Sequence, residues 1–136
     1  MAQQSAELLP KEHPVLQCDG IVPVPLHHSR QRKRGFNQVT GFGQYWATRL
    51  DVPFLDHLLL RKNQTRTLVH MSRESRWEEV KNAFSIRPRK EYKHLLLVDD
   101  VITTGATLTA CGNILLNGAC DKISVMGVAF AQNILP

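Results

Sequence analysis

Two adjacent acids, Asp99 and Asp100, stand between an apolar run, Leu95 to Val98, and a loop of threonine and glycine, Thr103 to Thr107. From His94 to Thr107 the stretch reads HLLLVDDVITTGAT. Gly105 lets the backbone turn back tightly. Thr103, Thr104 and Thr107 supply hydroxyl donors beside main-chain N–H groups at the start of the next helix, where the dipole favours an anion. Completed by Ala106, this loop has the chemistry of a phosphate cradle. Carboxylates just upstream would repel that phosphate on contact. They suit hydrogen bonds from sugar hydroxyls, or a hydrated Mg²⁺. Acid pair and anion loop together describe a site for a phosphorylated sugar.

Two further groups carry positive charge. The most basic run of the chain is His27 to Asn37, HHSRQRKRGFN. Arg30, Arg32, Lys33 and Arg34 within it suit a pyrophosphate, because Arg forks match phosphate oxygens and Lys supplies a mobile point charge. The alternative for any one of them is a solvated basic loop. The second group lies in the polar segment 61–88, where Arg66, Arg73, Arg76 and Lys81 are the candidates and exposed surface charge is again the alternative.

The elements that must position these residues follow from periodicity. A continuous apolar run bounded by polar residues suits a strand buried on both faces, as in a parallel sheet covered by helices. Asp99 and Asp100 then sit at its carboxyl end, the edge on which open α/β sheets bind ligands. Ile21 to Pro25, IVPVP, is strand-like but loses backbone donors at both prolines, so it should end at a site or an irregular loop. The basic run leaves that end, on the same edge as the acids. Phe36, Val39, Phe42, Trp46 and Leu50 recur at three- and four-residue steps, one face of a helix. Gly41 and Gly43 within it imply close packing. Val52 to Leu60 reads as the second strand, with Pro53 at its start, and His57 as structural. Ser75 and Glu78 form a capping box for a short helix carrying Trp77, Val80 and Phe84. A further helix covers Thr107 to Asn117, turning Leu108, Cys111 and Leu115 to the sheet, with Gly118 suited to a left-handed end. The last strand is Lys122 to Phe130. Strands separated by helices in this order imply right-handed crossovers and an α/β fold with a mainly parallel sheet. Residues 1–19 read as a short helix and connection, and 20–136 as one domain.

The stretch HLLLVDDVITTGAT closely resembles the phosphoribosyl pyrophosphate (PRPP) motif of type I phosphoribosyltransferases. In that family the two acids meet the ribose 2′- and 3′-hydroxyls and the TTGAT loop holds the 5′-phosphate. The resemblance gives Asp99 and Asp100 the first role, and Thr103, Thr104, Gly105, Ala106 and Thr107 the second. A Walker-B-like reading of LLLVDD would need a G-x-x-x-x-G-K-[ST] loop, which the sequence lacks. In the glutamine amidophosphoribosyltransferases of the same superfamily, the stretch before the acidic strand is a mobile hood over PRPP. That makes 61–88 a hood, with Arg73 and Arg76 as further pyrophosphate candidates. IVPVPLH, RKRGFNQ, MSRESRWEEVKNAF and LLLVDDVITTGATL also occur in the order and approximate spacing of the ComF/GntX-like family, over most of Gly20 to Phe130. Its members are associated with competence and DNA uptake. Fuller members begin with a zinc-binding cysteine region and a further helix, so a shortened or fragmentary member is expected.

Composition bounds the partners. A formal charge of +5 favours anions such as pyrophosphate, nucleotides or nucleic acid, without choosing among them. No apolar stretch approaches the ~20 residues of a membrane helix, and the start lacks the order of a signal peptide, so a cytoplasmic protein is expected. Cys18, Cys111 and Cys120 show no C-x-x-C spacing and suit reduced, apolar positions. Two functions are carried forward. The first is a phosphoribosyltransferase-like protein binding PRPP with Mg²⁺, with transfer of the phosphoribosyl group and release of pyrophosphate. The second is a non-enzymatic accessory of DNA uptake that meets single-stranded DNA or a helicase through its basic run. No residue reads as a general base, and no metal held directly by the protein is expected. A second copy of the chain remains a candidate partner.

Overall fold

The computed structural model describes residues 12–25, 38–62, 82–87, 92–102 and 104–130, together with Pro10, Glu74 and Glu78. The apolar run forms the middle of the central strand β4, Tyr92–Ile102, and Leu95, Leu96, Leu97 and Val98 are each 0% exposed. We number the elements in chain order: β1 Gly20–Pro23, α1 Gln38–Leu50, β2 Leu59–Arg61, β3 Phe84–Ile86, β4, α2 Ala106–Gly118 and β5 Cys120–Phe130. β4 pairs in parallel with β1 on one side, from Gly20↔Leu95 to Pro23↔Val98. On the other it pairs in parallel with β5, from Tyr92↔Cys120 to Ile102↔Phe130. The expected mainly parallel sheet with covering helices is therefore present.

The prolines of IVPVP fit because of where their missing donors would point. The Ile21 N–H faces outward, to the Pro53 carbonyl at 3.0 Å, while the Val24 N–H reaches inward to the Val98 carbonyl at 2.9 Å. Alternation puts positions 23 and 25 on the outward side with Ile21, so neither proline removes a bond to β4.

Each face of the sheet is covered by one helix. Val39, Phe42 and Trp46 of α1 pack with Ile21, Leu96 and Val98. Ala110, Cys111 and Leu115 of α2 pack with Val22, Leu95 and Leu97, and the β2–β3 ribbon adds Leu59 and Phe84 to this side. Burial of each large aliphatic side chain contributes about 1.5–3 kcal/mol, so the four-residue run of β4 alone anchors both halves of the core.

Four expectations are corrected. Close packing holds at Gly43, where an added Cβ would overlap the Phe54 ring, but not at the exposed Gly41, where it would meet nothing within 4 Å. Val52 to Leu60 is not one strand. Phe54 makes a single parallel bridge to Ile21, and only Leu59–Arg61 goes on to form β2. Phe84 is not on a helix but in β3, antiparallel to β2 with Phe84 opposite Arg61. Long-range pairing decides both, and local periodicity does not carry it. Gly118 is helical rather than left-handed, and its lack of a side chain admits the end of Ile86, which a Cβ would overlap. The helix expected over Ser75–Phe84 otherwise falls mostly outside the described residues, although Glu74, Glu78 and Asn82 are helical. The expected N-terminal helix, Ala2 to Leu9, also lies outside them.

The end of the sheet away from the acids is closed by side chains. Asp19 Oδ2 accepts from the backbone N–H of Lys93 at 2.6 Å and of His94 at 3.1 Å. Those two bonds hold its carboxyl below the usual carboxylate range. His94, 7% exposed, bridges the Gln17 carbonyl through Nδ1 at 2.9 Å and the Ser124 hydroxyl through Nε2 at 2.7 Å. A carbonyl only accepts, so Nδ1 carries a proton, and in the neutral ring Nε2 accepts from Ser124.

Candidate functional site

β4 delivers Asp99 to its site by simple alternation. Leu95 and Leu97 face the α2 side, and Asp99 is the next residue in that series. The residue is 8% exposed, and Oδ1 accepts from the Asp100 N–H at 2.8 Å. It lines a pocket open to solvent with Ile102, Thr104, Gly105, Ala106, Thr107 and Leu108.

The loop is shaped by Gly105, whose φ of +80° is left-handed. It is the N-cap of α2 but brings no side chain to cap it. Thr104 Oγ1 accepts from the Ala106 N–H at 3.3 Å. The Gly105 carbonyl receives both the Thr109 N–H at 2.8 Å and the Thr109 hydroxyl at 2.7 Å. Thr109 thus makes the first intrahelical bond. The N–H groups of Thr107 and Leu108 precede it, have no intrahelical acceptor, and belong to residues lining the pocket. A thirteen-residue helix adds its positive end at the same place.

Electrostatics beneath the pocket are set by burial. Cys111, 0% exposed, has its thiol pushed up to about 12, first by desolvation, then by the nearby Asp99 carboxylate, with Arg61 acting in the opposite sense. Cys111 is therefore a neutral core thiol at physiological pH. The Arg61 guanidinium lies over the Phe84 ring, 5.1 Å from its centroid.

Of the residues expected from sequence, the structure brings together Asp99, Thr104, Gly105, Ala106 and Thr107. Asp100 follows on the same strand and is tied to Asp99 through its N–H, but is not among the residues lining the pocket. Thr103, the basic group Arg30, Arg32, Lys33 and Arg34, and the candidates of segment 61–88, Arg66, Arg73, Arg76 and Lys81, lie outside the described residues. Ile102, Leu108 and Arg61 were not anticipated. The first two were legible only as strand end and core helix, and Arg61 reaches this side through its pairing with Phe84, which has no local signature. His57 is exposed, with Asp56 Oδ1 3.6 Å away. Cys18, Cys111 and Cys120 are buried and not disulfide-bonded.

No protein-family model matches the chain. Competence protein F of Haemophilus influenzae is 38% identical over 124 residues, covering 89% of this chain and 54% of that protein. DNA utilization protein YhgH of Salmonella typhi is 38% identical over 107 residues, covering 79% of this chain and 47% of that protein. The chain thus spans about half the length of the curated relatives it matches. Among solved structures, an adenine phosphoribosyltransferase aligns with a TM-score of 0.62 at 16% identity, over 96% of this chain and 68% of the other. Adenine phosphoribosyltransferase from Saccharomyces cerevisiae gives 0.60 at 16% identity, over 96% and 66%. At such identities the likeness establishes the fold, that of the type I phosphoribosyltransferases.

Proposed function

Because this chain is homologous to competence protein F and to the YhgH DNA utilization proteins, and has the type I phosphoribosyltransferase fold, we propose that its pocket binds PRPP with Mg²⁺. The observation that carries this reading is the convergence of Asp99 and the Thr104–Thr107 loop on one pocket at the N-terminus of α2, around a left-handed Gly105. In this reading the 5′-phosphate accepts hydrogen bonds from the Thr107 and Leu108 N–H groups and from the loop hydroxyls, at the positive end of the helix. The Asp99 carboxylate accepts from a ribose hydroxyl, with Asp100 beside it.

Carboxylate oxygens suit a hard cation, and among the described residues no cluster of three acid, histidine or cysteine ligands offers it a closed cage. Asp99 would hold such a cation through its hydration shell, and the cation would neutralise charge on the departing pyrophosphate. Group transfer at such a site is attack of a nucleophile on the anomeric carbon as pyrophosphate leaves. The protein's part is positioning and charge stabilisation.

Calorimetric titration with PRPP and Mg²⁺ tests this. Replacing Asp99 and Asp100 together with Asn should weaken binding by a few kcal/mol, since hydrogen bonds to charged groups contribute about 1.5–3 kcal/mol each. The pocket-lining Asp99→Asn alone should account for the larger share, and both variants should keep the wild-type unfolding midpoint. Indifference of the unmodified protein to millimolar PRPP would sink the reading.

The names of the relatives favour a second reading, an accessory of DNA uptake without transferase activity. It assigns the basic run to single-stranded DNA or to a helicase rather than to pyrophosphate.

A further inference from the structure

Strand β5 is eleven residues long and, among the described residues, is hydrogen-bonded along one edge only, to β4. Exposed strand edges invite pairing, and proteins that must stay apart blunt them with charges, prolines, bulges or short strands. β5 carries Asp121 and Lys122 at its start, and then ISVMGVA from Ile123 to Ala129, with neither charge nor proline. Its register with β4 keeps one offset from Tyr92↔Cys120 to Ile102↔Phe130, so no bulge turns the edge aside. Val125, at mid-strand, is 42% exposed, one of two large apolar side chains so exposed among the described residues.

We propose that β5 is the surface through which two copies of this chain pair, antiparallel and edge to edge, about a two-fold axis near Val125, joining their sheets into one. The absence of charge along the segment, and the mutual covering of the two Val125 side chains, let a second copy be the occupant. In a chain of net charge +5, this uncharged run is a place where two like-charged molecules can approach without repulsion. A two-fold axis sets the segment against itself. Val125 then meets its own mate, Ser124 lies opposite Met126, and Ile123 lies opposite Gly127. Lys122 falls opposite Val128 and Asp121 opposite Ala129, so no like charges face one another. Directly opposed residues share a face in an antiparallel pair, so the exposed Val125 side chains cover each other. Strand pairing over so few residues buries less than the roughly 1,200 Å² of a stable interface, which makes the dimer weak and dependent on concentration. This inference is independent of what the pocket binds.

The test is sedimentation velocity of the full chain from about 1 to about 500 µM, the range in which a weak pair of this kind assembles, with backbone amide exchange followed over the same series. The expected result is a monomer–dimer equilibrium in which the amides of Ile123–Ala129 exchange more slowly as concentration rises. Val125→Lys places two ammonium groups across the axis and should leave a monomer throughout. Mixing Val125→Lys with Val125→Glu should restore the dimer. One hydrodynamic size at every concentration would overturn the proposal, as would a dimer that survives Val125→Lys. Should Val125→Lys fail to fold, exchange in the unmodified protein decides: protection in β5 that does not change with concentration would overturn the proposal.

Discussion

Gly105 is the residue on which the candidate pocket turns. An added Cβ there would find no heavy atom within 4 Å, so packing does not demand glycine. Backbone conformation does. At φ +80° an L side chain costs about 1–2 kcal/mol, and a loop relaxing to negative φ would re-aim the N–H groups of Thr107 and Leu108, two residues that line the pocket. Gly105→Ala should therefore lower stability in chemical denaturation by about that amount, and should weaken PRPP binding by more than the stability loss explains. Ligand affinity left intact in this variant would mean that the loop does not hold the phosphate. Cys111 illustrates the opposite case, a nucleophilic residue type near a site that is kept neutral by burial.

Helix α1 shows how one element answers to two different neighbours. Its buried stripe of Val39, Phe42 and Trp46 follows directly from helical spacing. Its two glycines read alike in the sequence but differ in the fold. A Cβ at Gly41 meets nothing, whereas one at Gly43 would run into the ring of Phe54, the residue that bridges to Ile21 at the sheet edge. Gly41→Ala should accordingly stabilise the protein by about 0.5–1 kcal/mol, the helix-interior difference between the two residues. Gly43→Ala should destabilise it by about 1–3 kcal/mol through overpacking. Chemical denaturation of the pair checks this. Equal effects in the two variants would remove the Phe54 contact from the account of how β1 is held.

The charge of the molecule as a whole separates the two proposed functions. If Arg30, Arg32, Lys33 and Arg34 serve a nucleic acid backbone, affinity for single-stranded DNA should fall steeply with salt. Each phosphate contact then adds about 0.7 to the log–log slope, and PRPP should compete weakly or not at all. If they serve pyrophosphate, the net charge of +5 still attracts DNA at low salt, but that binding should vanish near physiological salt and be displaced by PRPP. Salt-resistant DNA binding untouched by PRPP, with no pyrophosphate release against any base or amine offered, would favour the accessory role. Among the described residues no helix is long and apolar enough to cross a membrane.

What the sequence determined alone is what short-range chemistry dictates. Four apolar residues ending in two acids and a Thr/Gly loop specify a buried strand followed by a tight, glycine-dependent turn wherever the chain places them. The stripes of α1 and α2 specify their buried faces in the same way. Tertiary structure decided what depends on partners remote in the chain. Phe54 becomes a lone bridge because Ile21 lies beside it, and Phe84 a strand residue because Arg61 pairs with it. Gly118 stays helical, with Ile86 filling the space its missing side chain leaves. The pocket needed both kinds of information. Asp99 and the Thr104–Thr107 loop were legible locally, whereas Ile102, Leu108 and the nearby Arg61 entered through packing between elements, because hydrogen bonds between strands and contacts across a core join residues that no local pattern relates.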